Sequence, residues 1–286
     1  MRDARQGPHT ERGRRSGPCA TGLSMTARVF DFNNALVRTP ARSVINGLRA
    51  VDTGAPRFEG VLAEHAAYVA ALEAADVAVE VLLTLEDFPD SVFVEDAALV
   101  FEGAAIVLRP GAPSRRGEAD AIAPVLAQRF DHVVRLQTGA VDGGDVLATA
   151  GKVFIGQSAR TNAEGARALC GLLDQIGLHG APVATPEGVL HFKSDCSLLD
   201  EETILATARL AASGVFEGFR VVLTPEGEES AANAVRVNDR VLMSDAFPRT
   251  AEMLNTLGYA VVPLATREIA KVDAGLSCLS LRWRGR

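Results

Sequence analysis

The chain has 286 residues, 48% of them apolar, enough to bury a sizeable core in one large domain or two small ones. Its 36 acidic and 29 basic residues leave a net charge near -7, which argues against nucleic acid or an anionic membrane as the main partner and suits a cationic one. Four cysteines, Cys19, Cys170, Cys196 and Cys278, stand far apart with no C-x-x-C pair, so neither a zinc site nor a dense disulfide framework is indicated and a reducing cytoplasm fits best.

Residues 1–26 carry five arginines, several glycines and prolines, and no apolar run. That composition lacks the apolar core of a secretory signal and reads as a disordered basic extension, unless Met25 opens the folded protein. No later run approaches the roughly 18 apolar residues of a membrane span, so no membrane partner is expected.

From Thr26 a rhythm sets in. Helical patterns fall over 59–75, 115–128, 161–177, 205–214 and 249–258. Short β-branched runs follow, "VAVEVLL", "HVVRLQ", "RVVLTP" and "AVVPLA", and strand pairs such as "VFVEDAALVF…AAIVLRP" and "GGDVLATAGKVFIGQ" lie between. This predicts an α/β protein of five strand-strand-helix-strand units, stacked or closed around an axis as one array over 27–286, with no proline- or serine-rich linker.

The chemistry concentrates in a few places. "EDFPDSVFVED", 86–96, holds five carboxylates and no base. It is either an acidic loop leading into a strand or a pocket for a cation, because a guanidinium or amine leaving water needs carboxylates to offset desolvation. In a regular strand over 91–100, Glu95 and Asp96 would point to opposite faces. Arg109 and Arg160 each end a strand, either as surface residues or as a pair able to grip a carboxylate in planar fashion.

Of the histidines, His65 shares a helical stripe with Phe58, Leu62, Val69 and Leu72 and reads as a core residue, while His9, His132 and His179 fall in the tail, loops or edges. His191 sits in a strand-like run, on the face with Lys193 and Asp195 and opposite Cys196. Cys170 lies within an apolar helix and Cys19 in the tail. Elimination leaves Cys278, in what reads as a closing strand, as the thiol able to meet His191.

The stretches "PDSVFVED", "RPGAPSRR", "VDGGDVL", "IGQSARTN", "VLHFKS", "AAN" and "KVDAGLSCLS" occur in the order and spacing found in the dimethylarginine dimethylaminohydrolases, and the chain resembles that family over roughly 27–283. These are guanidine-modifying enzymes with a five-bladed α/β propeller of ββαβ-type repeats about a pseudo-fivefold axis. The resemblance implies Cys278 as nucleophile, His191 as general acid and base, and Asp142 as the group orienting it. It places Glu95 and Asp96 at the guanidinium and Asp90 with the Leu48 backbone at the α-amino group. Arg109 and Arg160 would take the α-carboxylate, and the Val272 carbonyl would line the guanidinium end. Asp142 stands where some relatives carry glutamate.

The implied reaction is hydrolysis of an Nω-methylated arginine to citrulline and a methylamine. It calls for no metal or cofactor, and its partner is a small guanidino molecule, with a homodimer among the allowed assemblies. Arginine deimination, amidino transfer and a non-catalytic role on the same fold are the alternatives, and joint possession of Cys278, His191 and the carboxylates speaks against the last.

Overall fold

The computed structural model describes residues 28–50 and 52–285, so the extension expected over 1–26 lies outside the described residues. The chain enters with β1 (Asn34–Arg38), α1 (Phe58–Glu73) and β2 (Ala78–Leu82). Four stretches then repeat one order. They are β3 (Ala98–Phe101), β4 (Ala104–Val107), α2 (Arg116–Ala127), β5 (His132–Arg135); β6 (Val146–Ala148), β7 (Val153–Gln157), α3 (Ala163–Gln175), β8 (Gly180–Ala184); β9 (Cys196–Leu198), β10 (Thr203–Ala206), α4 (Ala208–Ala211), β11 (Arg220–Leu223); and β12 (Val235–Val237), β13 (Arg240–Ser244), α5 (Pro248–Thr256), β14 (Ala260–Leu264). Finally β15 (Leu281–Trp283) returns to β1.

Each unit forms one three-stranded sheet. Its first strand is antiparallel to the middle one, which pairs in parallel with the third across the helix. The fifth unit, β15-β1-α1-β2, is assembled from both ends of the described chain. Middle strands such as "AAIV" and "TILA" are buried throughout, as expected where both faces are covered, whereas third strands such as β2 and β14 carry only half-buried and exposed positions.

Local differences from the sequence reading have physical causes. The helix expected over 205–214 shrinks to Ala208–Ala211, because Leu205 and Ala206 pair in β10 and Thr207 caps the helix by accepting from the Leu210 N–H. Strand β8 had no β-branched run to reveal it, and its Pro182 is tolerated because the strand lies at a sheet edge. Among the described residues, no helix is long and apolar enough to cross a membrane.

The core runs from sheet to sheet. Five apolar clusters each join two units. Leu99 and Ile106 meet Val146, Ile155 and Leu169; Phe154 meets Phe192, Ile204 and Phe216; Leu205 and Val222 meet Val241 and Leu254. Val235 and Leu242 meet Val61, Tyr68 and Leu72, and Leu36, Leu281 and Trp283 meet Ala105, Ile122 and Leu126.

Phe154 is the most connected aromatic of these seams, with ring centroids 6.0 Å from Phe192, 5.8 Å from Phe216 and 6.0 Å from Phe219. Phe154→Ala is expected to lower the free energy of unfolding in urea by about 3–5 kcal/mol through lost burial and a residual cavity. The control Leu62→Ala, at a 39% exposed position, is expected to change it by less than about 0.5 kcal/mol.

Candidate active site

All five first strands are approached through the same device, a one-turn 3-10 helix. These turns span Val94–Ala97, Gly143–Asp145, Phe192–Ser194, Glu229–Ala232 and Leu276–Leu279. Glu95 and Asp96 lie in the first, Asp142 caps the second, His191 caps the third, Asn233 ends the fourth and Cys278 lies in the fifth. Of 91–100 only 98–100 is strand, and neither the run around His191 nor the stretch around Cys278 is the strand that alternation suggested. In a 3-10 turn adjacent side chains are about 120° apart, so the opposite-face argument for Glu95 and Asp96 lapses and both are buried.

The turns separate two spaces. A narrow pocket of about 30 Å³ is lined by Asp96, His191 and Cys278, together with Leu48, Asp90, Phe93, Arg160 and Val272. A larger cavity of about 500 Å³ is lined by all five first strands and by the neighbours of those groups, Glu95, Lys193 and Ser277.

Within the pocket His191 Nε2 lies 3.1 Å from Asp142 Oδ2, so aspartate reaches the ring despite its short side chain. Asp142 is fully buried, and its Oδ1 accepts from the Gly111 N–H at 2.7 Å. Asp96 accepts from the Gly144 N–H at 2.9 Å and from Arg115 Nη1 at 2.5 Å. The two glycines of "VDGGD" follow from this crowding. A Cβ on Gly143 would stand 1.9 Å from the Glu95 carbonyl oxygen, and one on Gly144 would stand 2.8 Å from the His191 ring. The second acid of that motif, Asp145, accepts from the Phe192 N–H at 2.8 Å and from the Ser158 and Thr161 hydroxyls, both at 2.6 Å. It thereby fixes the segment that carries His191.

Burial pulls the His191 imidazole down, but Asp96, Asp142 and Asp145 outweigh it and lift the pKa to about 9. Cys278 is 7% exposed; burial, then the Asp96 and Glu95 carboxylates, push its thiol up to about 12. Asp96 resists its own burial because His191 and Arg115 face it, and it is held at about 2. With neither substrate nor base present, thiol and imidazole both carry their protons at neutral pH.

Arg115 is the group the sequence reading missed. It is buried and donates to Asp96, to Glu118 and to the Asp90 and Phe93 carbonyls, so it pins the acidic stretch from behind. Its spacing from Glu118 at the start of a helix was the available signal. Asp90 in turn accepts from the Leu48 N–H at 2.9 Å.

Other expected residues are placed differently. Arg160 lines the pocket. Arg109 does not, and its Nη1 donates to the Gly139 carbonyl, although the two loops touch, since a Cβ on Gly111 would lie 2.3 Å from the Arg160 carbonyl oxygen. Glu95 faces the larger cavity, where Lys193 Nζ lies 2.6 Å from its Oε1. Asp195 is tied to Arg209 and Thr207. Cys196 is buried and donates to the Phe192 carbonyl, and Cys170 is half-buried in α3. His65 is a core residue, which burial holds at about 4. Asp96, Asp142 and His191 offer donor atoms within 4.8 Å of one another, near enough for a metal ion, but these atoms are already engaged by Arg115, Gly144, Gly111 and each other.

Residues 54–185 match a family model described as N,N dimethylarginine dimethylhydrolase, eukaryotic. The N(G),N(G)-dimethylarginine dimethylaminohydrolase of Pseudomonas aeruginosa is 42% identical over 88% of this chain and all of that protein, and the enzyme of the same name from Streptomyces coelicolor is 35% identical over 87% of this chain and 96% of that one. The solved structure of a mutant of the Pseudomonas enzyme complexed with citrulline superposes with a TM-score of 0.86 at 41% identity, covering 88% of this chain and 100% of that one. The N-terminal domain of a cyanobacterial arginine dihydrolase, at 18% identity and a TM-score of 0.78 over 89% of this chain and 98% of its own, shares the fold. With a relative 42% identical over 88% of this chain and all of its own length, the chain belongs to the dimethylarginine dimethylaminohydrolase family.

Proposed function

We propose that the protein hydrolyses Nω-methylated arginine, asymmetric dimethylarginine and monomethylarginine, to citrulline and di- or monomethylamine. The observation that carries this reading is a thiol, an imidazole and the Asp90 and Asp96 carboxylates around one narrow pocket whose wall includes Phe93. A methylated guanidinium needs that mixture of anionic and apolar wall, since methylation removes donors and adds apolar bulk.

In this mechanism Asp96 faces the guanidinium and the Val272 carbonyl lines that end. Asp90 and the Leu48 backbone take the α-amino group, and Arg160, with Arg109 from the adjoining loop, takes the α-carboxylate. The bound cation offsets the carboxylate field that keeps Cys278 protonated, so ionisation accompanies binding. The thiolate attacks the guanidinium carbon, a poor electrophile flanked by three nitrogens. The Sγ–C bond forms, His191, held by Asp142, protonates the methylated nitrogen, and the amine departs as the C–N bond breaks. His191 then takes a proton from water, the resulting hydroxide adds to the thiouronium-type carbon, and the C–S bond breaks to return the thiol and release the ureido product. Five sheets, five seams that link the units in cyclic order and one cavity lined by all five first strands support a closed five-bladed propeller over 27–286 as the scaffold. Activity through a free thiol suits the reducing cytoplasm.

Cys278→Ser is expected to abolish amine release while leaving the fold intact, because a hydroxyl is far less ionised than a thiol. Cys170→Ser and Cys196→Ser should retain substantial turnover; activity surviving in the Cys278 variant would remove the mechanism.

His191→Ala is expected to cost about two to four orders of magnitude in kcat. In the wild type the productive form couples a thiolate to an imidazolium. kcat/KM should therefore climb about tenfold per pH unit through neutrality as the thiol, at about 12, ionises. It should level off near 9, where loss of the imidazolium cancels the gain. A profile flat between pH 6 and 8 would be incompatible with a protonated resting thiol.

Dimethylarginine and monomethylarginine are expected to show a higher kcat/KM than arginine, and agmatine, lacking the carboxylate, to be poor. Arg160→Ala should weaken the methylarginines by about 10- to 100-fold and Arg109→Ala by less, with little effect of either on agmatine. Citrulline and amine measured across the four compounds decide it: a preference for arginine or agmatine rejects the methylarginine assignment even with Cys278 essential.

A further inference from the structure

Behind the pocket runs a second line of charge that the reaction above does not use. The turns of Asp96 and His191 supply Glu95 and Lys193, and β15, which follows the Cys278 turn, supplies Arg282. Glu95 precedes Asp96, Lys193 follows His191 by two residues, and Arg282 follows Cys278 by four. Lys193 Nζ lies 2.6 Å from Glu95 Oε1, and Arg282 Nη2 lies 3.5 Å from the same oxygen. All three face the larger cavity, and their side chains keep only 5–13% of their exposure.

Arg282 does more than complete the line. Its Nη1 donates to the Ser280 hydroxyl at 2.5 Å, to the Ser280 carbonyl at 3.1 Å and to the Ser277 carbonyl at 3.4 Å. Those two carbonyls bracket Cys278. The same nitrogen lies 3.3 Å from the hydroxyl of Tyr68, a fully buried residue of α1 that is itself 2.6 Å from the Ser280 hydroxyl. From the other side Asn233 accepts from the Ser277 N–H at 3.2 Å. A one-turn 3-10 helix has few hydrogen bonds of its own, so its position is set by what grips its ends.

We propose that Arg282 is a positioning residue for the nucleophile. It clamps both ends of the Cys278 turn and, through Glu95 and Lys193, fixes that turn against the one carrying His191. Glu95 Oε1 is then the hub of this line, while its buried Oε2 has no protein partner among the described residues. Such placement matters because an error of about 1 Å in a reacting group costs on the order of a hundredfold in rate. The inference rests on Cys278 being the attacking group, as proposed above.

The test compares wild type, Arg282→Met, Arg282→Lys and Glu95→Gln in two assays: turnover of dimethylarginine, and the rate at which iodoacetamide alkylates Cys278 at fixed pH without substrate. Arg282→Met is expected to lower kcat by at least about tenfold with KM within about threefold, and to shift the alkylation rate with it. Arg282→Lys, which keeps the charge and one donor, should recover part of both. Glu95→Gln should lower kcat while leaving KM within about threefold. Unchanged kcat in the Arg282 variants, or a Glu95→Gln effect confined to a raised KM, overturns the proposal. If Arg282→Met does not fold, the lysine and glutamine variants decide the same question. A wild type that alkylates at Cys278 but leaves methylarginine untouched would instead refute the substrate assignment, and the alkylation comparison would still report on Arg282.

Discussion

Taking Asp90 and Asp96 out of water against one pocket carries a desolvation cost, and Arg115 is the fixed cation that offsets it. A buried carboxylate survives ionised only beside a cation and donors. Asp96 has Arg115 on one oxygen and the Gly144 N–H on the other. Removing one member of such a pair typically costs about 3–5 kcal/mol, because the other is left buried and unpaired. Arg115 also faces Glu118, which burial raises to about 7 despite that guanidinium. Its remaining donors go to the Asp90 and Phe93 carbonyls, so one side chain both neutralises the acidic stretch and gives it its shape.

Shape is delivered by repetition. Each unit reaches its first strand through a short 3-10 turn, and each turn offers its inward position to the same region. Evolution of different chemistry in each turn, an acid in two, an imidazole in one, an amide in another and a thiol in the last, needs no new backbone. The amide of Asn233 shows the economy of the arrangement, since it holds the Ser277 N–H beside Cys278, at a place where a Cβ on Gly275 would collide with it.

What was legible in the sequence divides along this line. Period and β-branching belong to helices and strands, so the five units could be counted from them, and elimination singled out Cys278 because Cys170 reads as helix filling, Cys19 falls in the tail and Cys196 takes the face opposite His191. The 3-10 turns have too few residues to show a period, so strand alternation was extended back from β3 across 91–97 and through His191, where no strand exists. The fifth sheet joins β15 to β1 from positions about 250 residues apart, a pairing that no local pattern contains. Arg115 left only the weak signal of its spacing from Glu118, since an arginine reads as surface until the chain between 90 and 96 is seen to fold over it.

The electrostatics of the resting pocket carry a consequence for selectivity. Burial first, and then the carboxylates suited to attract a cation, keep the Cys278 thiol at about 12, while those carboxylates outweigh burial and lift the His191 imidazole to about 9. An exposed thiolate would react with any electrophile that reached it, and burial shields Cys278 as well. A neutral electrophile entering the pocket leaves the carboxylate field as it was. A guanidinium cancels part of that field at the position where the thiol must ionise. In the mechanism proposed above, the charge that recruits the ligand also favours ionisation of the thiol, so that step adds to the fit of the pocket in separating cationic from neutral electrophiles.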